Sequence, residues 1–212
     1  MLISAEKPIL QVGYNRRFAP LVQEMQKTIK GLPVSINYRV NAGVIPKDVW
    51  IQDPEVGGGR IIGEVCHFID TCTYLADALP ESVFAACVTK PDQSIPDEDN
   101  VTISIKYSNG STAVINYYAF GNSQLSKEYV EVFAPDIAMK MDNFRELEIF
   151  KGNKSRKLKS ANQNKGFKGE FMALKKAIEE GRTAITFDEL YSTSKVTFAI
   201  LNSLKTGEPQ KL

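Results

Sequence analysis

Histidine is nearly missing from this chain. Among 212 residues there is one, His67, together with three cysteines, Cys66, Cys72 and Cys87. One imidazole and no Cys-x-x-Cys spacing leave no ligand set for zinc, so no metal site is expected. An odd number of cysteines, two in a helical pattern and one in a strand pattern, argues against a disulfide framework and reads as reduced thiols of a reducing compartment. Excess charge is missing too. Lys and Arg number 26 against 25 Asp and Glu, for a net charge of +1, which gives no reason to expect nucleic acid or an anionic membrane as partner. No apolar run approaches a membrane span. No charged n-region precedes an apolar h-region at the start, and the expected location is the cytoplasm. Nor does any Gly-x-Gly-x-x-Gly follow a strand and open a helix, so the turn that holds a dinucleotide pyrophosphate is not found. What is there is ordinary for a globular chain: 43% hydrophobic and 24% charged residues, at a length that buries a substantial core without staples. The strongest basic cluster, Lys151 to Lys168, has Asn, Ser and Gly between its charges and reads as a solvated loop, with phosphate binding as the lesser alternative.

The most informative stretch surrounds the lone histidine. Gly57-Gly58-Gly59 runs into a helical pattern in which Ile61, Val65, Phe68, Cys72 and Leu75 form one apolar stripe. Arg60, Glu64, His67 and Thr71 fall on the other side, with Glu64 and His67 three residues apart. A polar row on an otherwise buried helix needs a cavity or water. Histidine is the side chain whose unperturbed pKa suits proton transfer near neutrality. The alternative is a half-buried helix residue hydrogen-bonded to Glu64 or to a backbone carbonyl.

Organisation follows from the periods. Ile9 to Gly13 is a short apolar run read as a strand, and Pro20 to Ile29 is a helix with Pro20 in its first turn. Val34, Ile36, Tyr38 and Val40 alternate as a strand. Gly43 to Pro54 has no clean period and reads as a loop. A strand at Val83 to Thr89 and an acidic loop at Pro91 to Asn100 precede Val101, Ile103, Ile105 and Tyr107, which alternate. Asn109-Gly110 then predicts a two-residue hairpin turn. Ala113, Ile115 and Tyr117 lie on the return strand. Strands at Tyr129–Phe133, Ile137–Met141 and Leu147–Phe150 complete the block. A helix marked by Phe171, Leu174 and Ile178 ends at Gly181. A last helix opens with a capping-box pattern, Thr186-Phe187-Asp188-Glu189, and stops at Gly207. This predicts an α+β fold, a large open mostly antiparallel sheet with helices packed on one face. Tyr117, Tyr118, Phe120, Tyr129, Val130 and Phe133 crowd its central strands. Alternation sends neighbours to opposite faces, so some are expected on the free face, where a second subunit would cover them.

Four segments in order carry a resemblance: Val12-Gly13-Tyr14-Asn15-Arg16-Arg17-Phe18, then Trp50-Ile51-Gln52-Asp53-Pro54, then the glycines with the histidine helix, and finally Phe187-Asp188-Glu189-Leu190 with Leu204-Lys205-Thr206-Gly207. Together they resemble the substrate domain of the Gfo/Idh/MocA oxidoreductases, NAD(P)-dependent enzymes acting mostly on sugars and cyclitols. The resemblance implies that residues 1–18 are a remnant of the nucleotide-binding domain with its crossing segment. Residues 19–212 are then a substrate and oligomerisation domain, without the N-terminal Rossmann domain. Two departures stand out. Many members carry an Asp one helical turn before the His, where this chain has Gly63, and Glu64 is rotated roughly 100° from it. Glu6-Lys7-Pro8 looks like the family's Glu-Lys-Pro motif but lies too close to Asn15-Arg16-Arg17, so no catalytic role passes to Lys7.

The resemblance implies an enzyme that removes hydride from a secondary alcohol of a sugar- or cyclitol-like small molecule, with NAD or NADP bound in the intact enzyme and none by this chain alone. His67 is then the acid or base. Glu64 orients it and raises its pKa, Asn15 and Arg16 line the cleft, Trp50 offers a flat face to a sugar ring, Asp53 accepts from a hydroxyl, and Arg60 holds an anionic substituent. Each has a plainer alternative. Trp50 anchors a loop, Asp53 shapes a turn before Pro54, Arg60 is a helix ion-pair partner, and Arg16 and Arg17 clamp the crossing through a carboxylate. The alternative function is a non-catalytic dimerisation or ligand-binding module. A homo-oligomer through the open sheet face is expected under either.

Overall fold

The computed structural model describes residues 9–53, 55–88 and 99–212. Lys7, Pro8, Pro54, Thr89 and most of the acidic loop, residues 91–98, lie outside them. The strands are β1 (Ser35–Asn41), β2 (Pro80–Cys87), β3 (Asn100–Tyr107), β4 (Thr112–Tyr118), β5 (Glu128–Ala134), β6 (Ile137–Asp142), β7 (Glu146–Lys151), β8 (Lys154–Lys159) and β9 (Gln210–Lys211). The helices are α1 (Pro20–Ile29), α2 (Cys66–Ala76), α3 (Phe167–Glu179) and α4 (Phe187–Thr206). The strands make one open sheet in the order β8-β7-β6-β5-β1-β4-β3-β2-β9. Every neighbouring pair is antiparallel except β1 with β4, which run parallel. The α+β architecture read from the sequence is the one observed.

Alternation divides the sheet into two faces. Ile36, Tyr38, Val40, Ile103, Ile115, Tyr117, Val130, Val132 and Met141 point to the buried side and share one core with α1, α2 and α4. The α2 stripe is buried as its period predicts: Ile61, Val65, Phe68 and Cys72 are fully covered and Leu75 nearly so. Phe68 packs between Tyr38, met edge-on at a centroid distance of 5.1 Å, and Tyr117, tilted at 6.1 Å. Of these crowded residues, Tyr117 and Val130 therefore serve the core. Phe84, Phe133 and Phe150 stand exposed on strands of the sheet, as does Phe120 just past β4, with half-exposed Tyr118 and Tyr129 beside them. Among the described residues no helix is long and apolar enough to cross a membrane. Cys66 and Cys72 are free thiols.

Several expectations are corrected. Residues 9–13 are not a strand; they pair with no strand among the described residues. The β3–β4 turn is not a two-residue one. Gly110 N–H donates to Tyr107 O at 3.0 Å and Tyr107 N–H to Ser111 O at 2.9 Å, and only Gly110 takes a positive φ, 86°. That is a three-residue loop with a glycine bulge. The Asn109 side chain is engaged elsewhere, donating to Ala76 O at the end of α2 and accepting from Ser111 N–H. The start of the basic cluster is no solvated loop but β8, the outer strand of the sheet. In α3 the helix is present but turned over. Phe171 and Ile178 are exposed while Ala177 is buried, and a Cβ on Gly169 would come within 2.7 Å of Phe18 O. The small residues permit close backbone approach, and that fixes which face packs.

The capping box of α4 is complete. Thr186 Oγ1 accepts from Glu189 N–H at 3.3 Å, and Thr186 N–H donates to Glu189 Oε2 at 3.1 Å. Gly207 ends the helix at φ 72°. Replacing Thr186 with Ala should therefore cost about 1 kcal/mol. Urea unfolding checks this, and Thr186→Ser should recover most of the loss. An unchanged midpoint in the Ala variant would show that α4 is held by packing alone.

Candidate functional site

The histidine helix begins irregularly. Ile61–Val65 form a π-helical turn that runs directly into α2. Such i→i+5 turns re-aim side chains and recur at functional sites. Ahead of it, the short turn Trp50–Gln52 packs onto the glycines: a Cβ on Gly57 would come within 2.4 Å of Ile51 Cα. The same isoleucine explains Gly63. A Cβ there would stand 3.0 Å from Ile51 Cδ1, so Ile51 fills the space a side chain at 63 would need.

The Glu64 carboxylate is engaged by groups other than His67. Glu64 Oε2 accepts from Arg60 Nη2 at 2.8 Å and from Tyr117 OH at 2.5 Å, and Oε1 accepts from Lys127 Nζ at 2.7 Å. Burial opposes its ionisation. The hydrogen bonds of Lys127 and Tyr117, with the charges of Lys127 and Arg60, win and hold the carboxyl down at about 2. The expected hydrogen bond from Glu64 to His67 is not how this carboxylate is used.

His67 faces a cleft of about 410 Å³ lined by Val12, Gly13, Tyr14, Ile62, Cys66, Ser194, Thr197 and Phe198. Its Nδ1 is buried and has no hydrogen-bond partner among the described residues. The Tyr14 ring meets the imidazole edge-on, centroids 5.8 Å apart. Burial and the charge of Arg16 pull the His67 pKa from 6.5 to about 4, against Glu64 and Glu128. The expected rise in its pKa is thus reversed, because desolvation and a cation outweigh the carboxylates. Beside it, burial pushes the Cys66 thiol up to about 11 and the Tyr14 hydroxyl well above its usual range. At neutral pH the cleft therefore presents a neutral imidazole, a thiol and a phenol.

The other sequence-derived candidates lie apart from this cleft. Arg16 is buried in an ion pair with Glu128, and Asn15 Nδ2 donates to Lys165 O at 2.7 Å. Arg17 is paired with Asp70 and Glu189. Burial pushes Asp70 up to about 6 even so. Arg60, expected to hold an anionic substituent, is 1% exposed. Its guanidinium lies over Tyr117 at 5.2 Å and is committed to Glu64 and Gly43 O. Trp50 is 66% exposed. Asp53 Oδ1 accepts from the N–H groups of Glu55 and Val56, which shapes the turn before the glycines. Sequence reasoning missed Tyr14, Ser194 and Phe198. Tyr14 had a signal, as the residue just before Asn15-Arg16-Arg17. The other two reach the cleft only because α4 packs on α2.

Residues 27–133 match the family model of the GFO/IDH/MocA C-terminal domain. This chain belongs to that family. The Trp50 segment, the glycines and the histidine helix all lie within the matched residues. No curated protein matches the sequence. Among solved structures, an aldose-aldose oxidoreductase from Caulobacter crescentus complexed with glycerol superposes with a TM-score of 0.81 at 21% identity, over 96% of this chain and 64% of its own. A putative myo-inositol dehydrogenase from Sinorhizobium meliloti 1021 gives 0.72 at 21% identity, over 95% and 65%. A levoglucosan dehydrogenase in complex with NADH and levoglucosan gives 0.79 at 17% identity, over 99% and 68%. The chain thus spans less than two thirds of the first two, and at these identities the likeness is one of fold.

Proposed function

We infer that this chain is the substrate-binding and oligomerisation part of an NAD(P)-dependent oxidoreductase acting on a secondary alcohol of a sugar- or cyclitol-like molecule. The observation that carries the reading is His67: a neutral imidazole with an unpartnered buried nitrogen, in a cleft of about 410 Å³, on a domain of an oxidoreductase family. In this reading His67 takes the proton of the reacting hydroxyl, and Ser194 and Thr197 offer hydroxyls to a polyol at the cleft wall. Glu64 acts indirectly. With Lys127, Tyr117 and Arg60 it fixes the π turn that aims His67. Asn15 and Arg16 hold the crossing segment that carries Tyr14. Trp50 and Asp53 belong to the loop above the glycines and contribute through its shape.

The described residues do not fit a dinucleotide. Gly57-Gly58-Gly59 follows the turn Trp50–Gln52 rather than a strand, so these glycines do not form the strand–turn–helix unit that holds a pyrophosphate. The cofactor, NAD or NADP, is accordingly assigned to a separate domain of the intact enzyme, where it supplies the hydride acceptor. Exposed Phe167 and Phe171 on α3, and Phe187, Tyr191 and Phe198 on α4, support such a neighbour; Phe198 also lines the His67 cleft. Titration of this chain with NADH should show negligible heat, whereas saturable micromolar binding would send the cofactor site back to the glycines. The decisive experiment is oxidation of a panel of aldoses and cyclitols by the intact enzyme, followed as NAD(P)H formation. Turnover of none of them would remove this reading in favour of a non-catalytic module.

The free face of the sheet supports self-association. Phe84, Phe133 and Phe150 are 39–44% exposed there, and large apolar patches mark interfaces. Sedimentation at micromolar concentration should show a dimer or larger, and Phe133→Asp should shift it toward monomer. A parent chain that is already monomeric would rule this face out.

A further inference from the structure

A second cleft lies away from His67. It has a volume of about 750 Å³ and lies between α1 and the β7–β8 hairpin, lined by Glu24, Lys27, Thr28, Ile149, Lys151, Lys154, Ser155 and Arg156. Glu24, Lys27 and Thr28 share one face of α1 by their i, i+3, i+4 spacing. Lys151 and Lys154 are directly paired across the hairpin, and Ile149 faces Arg156 in the same register.

The two faces of this hairpin are treated differently. On the face away from the cleft, Lys157 pairs with Glu146 and Glu148, Lys159 with Glu146, and Lys140 of β6 with Glu148. Every lysine there has a carboxylate. In the cleft the one carboxylate, Glu24, is taken by Arg156. Lys27, Lys151 and Lys154 have no ion-pair partner among the described residues. Like charges set directly opposite on neighbouring strands are destabilising, yet Lys151 and Lys154 stand so, with Lys27 facing them from the helix.

We propose that the cleft between α1 and the β7–β8 hairpin is a binding site for a phosphate-bearing small molecule. Its anionic group sits among Lys27, Lys151 and Lys154. Arg156, held by Glu24, supplies a fixed fork of donors. Ile149 gives the rest of the molecule an apolar floor. The volume lies in the range of small-ligand sites. A nucleic acid fits less well, because the neutralised outer face of the hairpin breaks any continuous basic stripe and the chain's net charge is only +1. The site is separate from the His67 cleft, with which it shares no lining residue.

The test uses this chain with inorganic pyrophosphate and inorganic phosphate as probes, by calorimetry at low ionic strength, and two double variants. Lys27→Ala with Lys154→Ala removes two charges from the cleft; Lys157→Ala with Lys159→Ala removes two from the opposite face. All four side chains are exposed, so both variants should fold. Saturable one-to-one binding is expected in the parent, tighter for pyrophosphate. It should weaken at least roughly tenfold in the cleft variant and stay within about twofold in the other. No saturable binding in the parent would overturn the proposal. So would equal weakening in both variants, which would mean a diffuse charge effect.

Discussion

Replacing Glu128 with Ala is expected to destabilise the domain by about 3–5 kcal/mol. Glu128 is fully buried and accepts from four donors. Arg16 gives two, Nε at 2.8 Å and Nη2 at 3.1 Å; Tyr38 OH gives one at 2.6 Å and Lys165 Nζ one at 2.7 Å. One carboxylate at the start of β5 thus joins the crossing segment, β1 and the segment entering α3. Its removal leaves the Arg16 guanidinium, 7% exposed, without a counter-charge. That uncompensated charge, rather than the lost bonds, dominates the cost. The double variant Arg16→Met, Glu128→Leu removes both charges and should recover at least half of the loss. Thermal unfolding reads the effect as a fall in Tm on the order of 10 °C for the single variant. A double variant as unstable as the single would show that packing around Glu128, not charge pairing, holds this corner.

How legible this was in the sequence depends on range. Elements with local periodicity could be read: β1, β3 and β4 from alternation, α1 from its stripe, α4 from its capping box. The open sheet followed from counting strands. The parallel pairing of β1 with β4 could not be read, because register between distant strands leaves no local mark. β8 was hidden because an outer strand exposed on both sides carries no alternating apolar residues; Lys154-Ser155-Arg156-Lys157-Leu158-Lys159 looks like a charged loop, and lysines are how edge strands resist further pairing. The site shows the same division. His67 stood out by rarity and period. Its partners did not, because Tyr14 and Ser194 come from the crossing segment and from α4. The spacing of Glu64 and His67 suggested contact, but Arg60, Tyr117 and Lys127 take the carboxylate instead, beside a π turn. A π turn has no sequence signature of its own; here the close packing of Ile51 on Gly57 and Gly63 marks where it forms.

Replacing His67 with Asn should lower kcat of the intact enzyme by roughly 10²–10⁴-fold, with cofactor binding little changed. The substitution keeps a polar group of similar shape and removes the titratable proton. The pH dependence makes the test specific. The groups around the imidazole are Tyr14 and Cys66, both held neutral at pH 7, the cations Arg16 and Lys127, and the carboxylates Glu64 and Glu128. Their balance with burial sets the His67 pKa at about 4. The low-pH limb of kcat/KM, which reports the free enzyme, should therefore fall near pH 4 rather than near 6.5, and His67→Asn should abolish it. Stability carries the same signature. The folded imidazole binds its proton more weakly than the unfolded one, so acid favours unfolding. This loss begins as pH falls below about 6.5 and is complete below about 4, on the order of 3 kcal/mol for such a shift. His67→Asn should flatten that part of the stability curve while leaving the acid loss due to Glu64, which sets in below about 4.5 as its carboxyl protonates toward its folded value of about 2. Because His67 is the one histidine in the chain, its ring protons can be titrated by NMR without assignment, and a midpoint near 4 is expected. A midpoint near 6.5 with normal kcat in His67→Asn would make His67 a packing residue. If Glu64→Gln were the more damaging change to kcat at unchanged stability, the proton would belong to Glu64 instead.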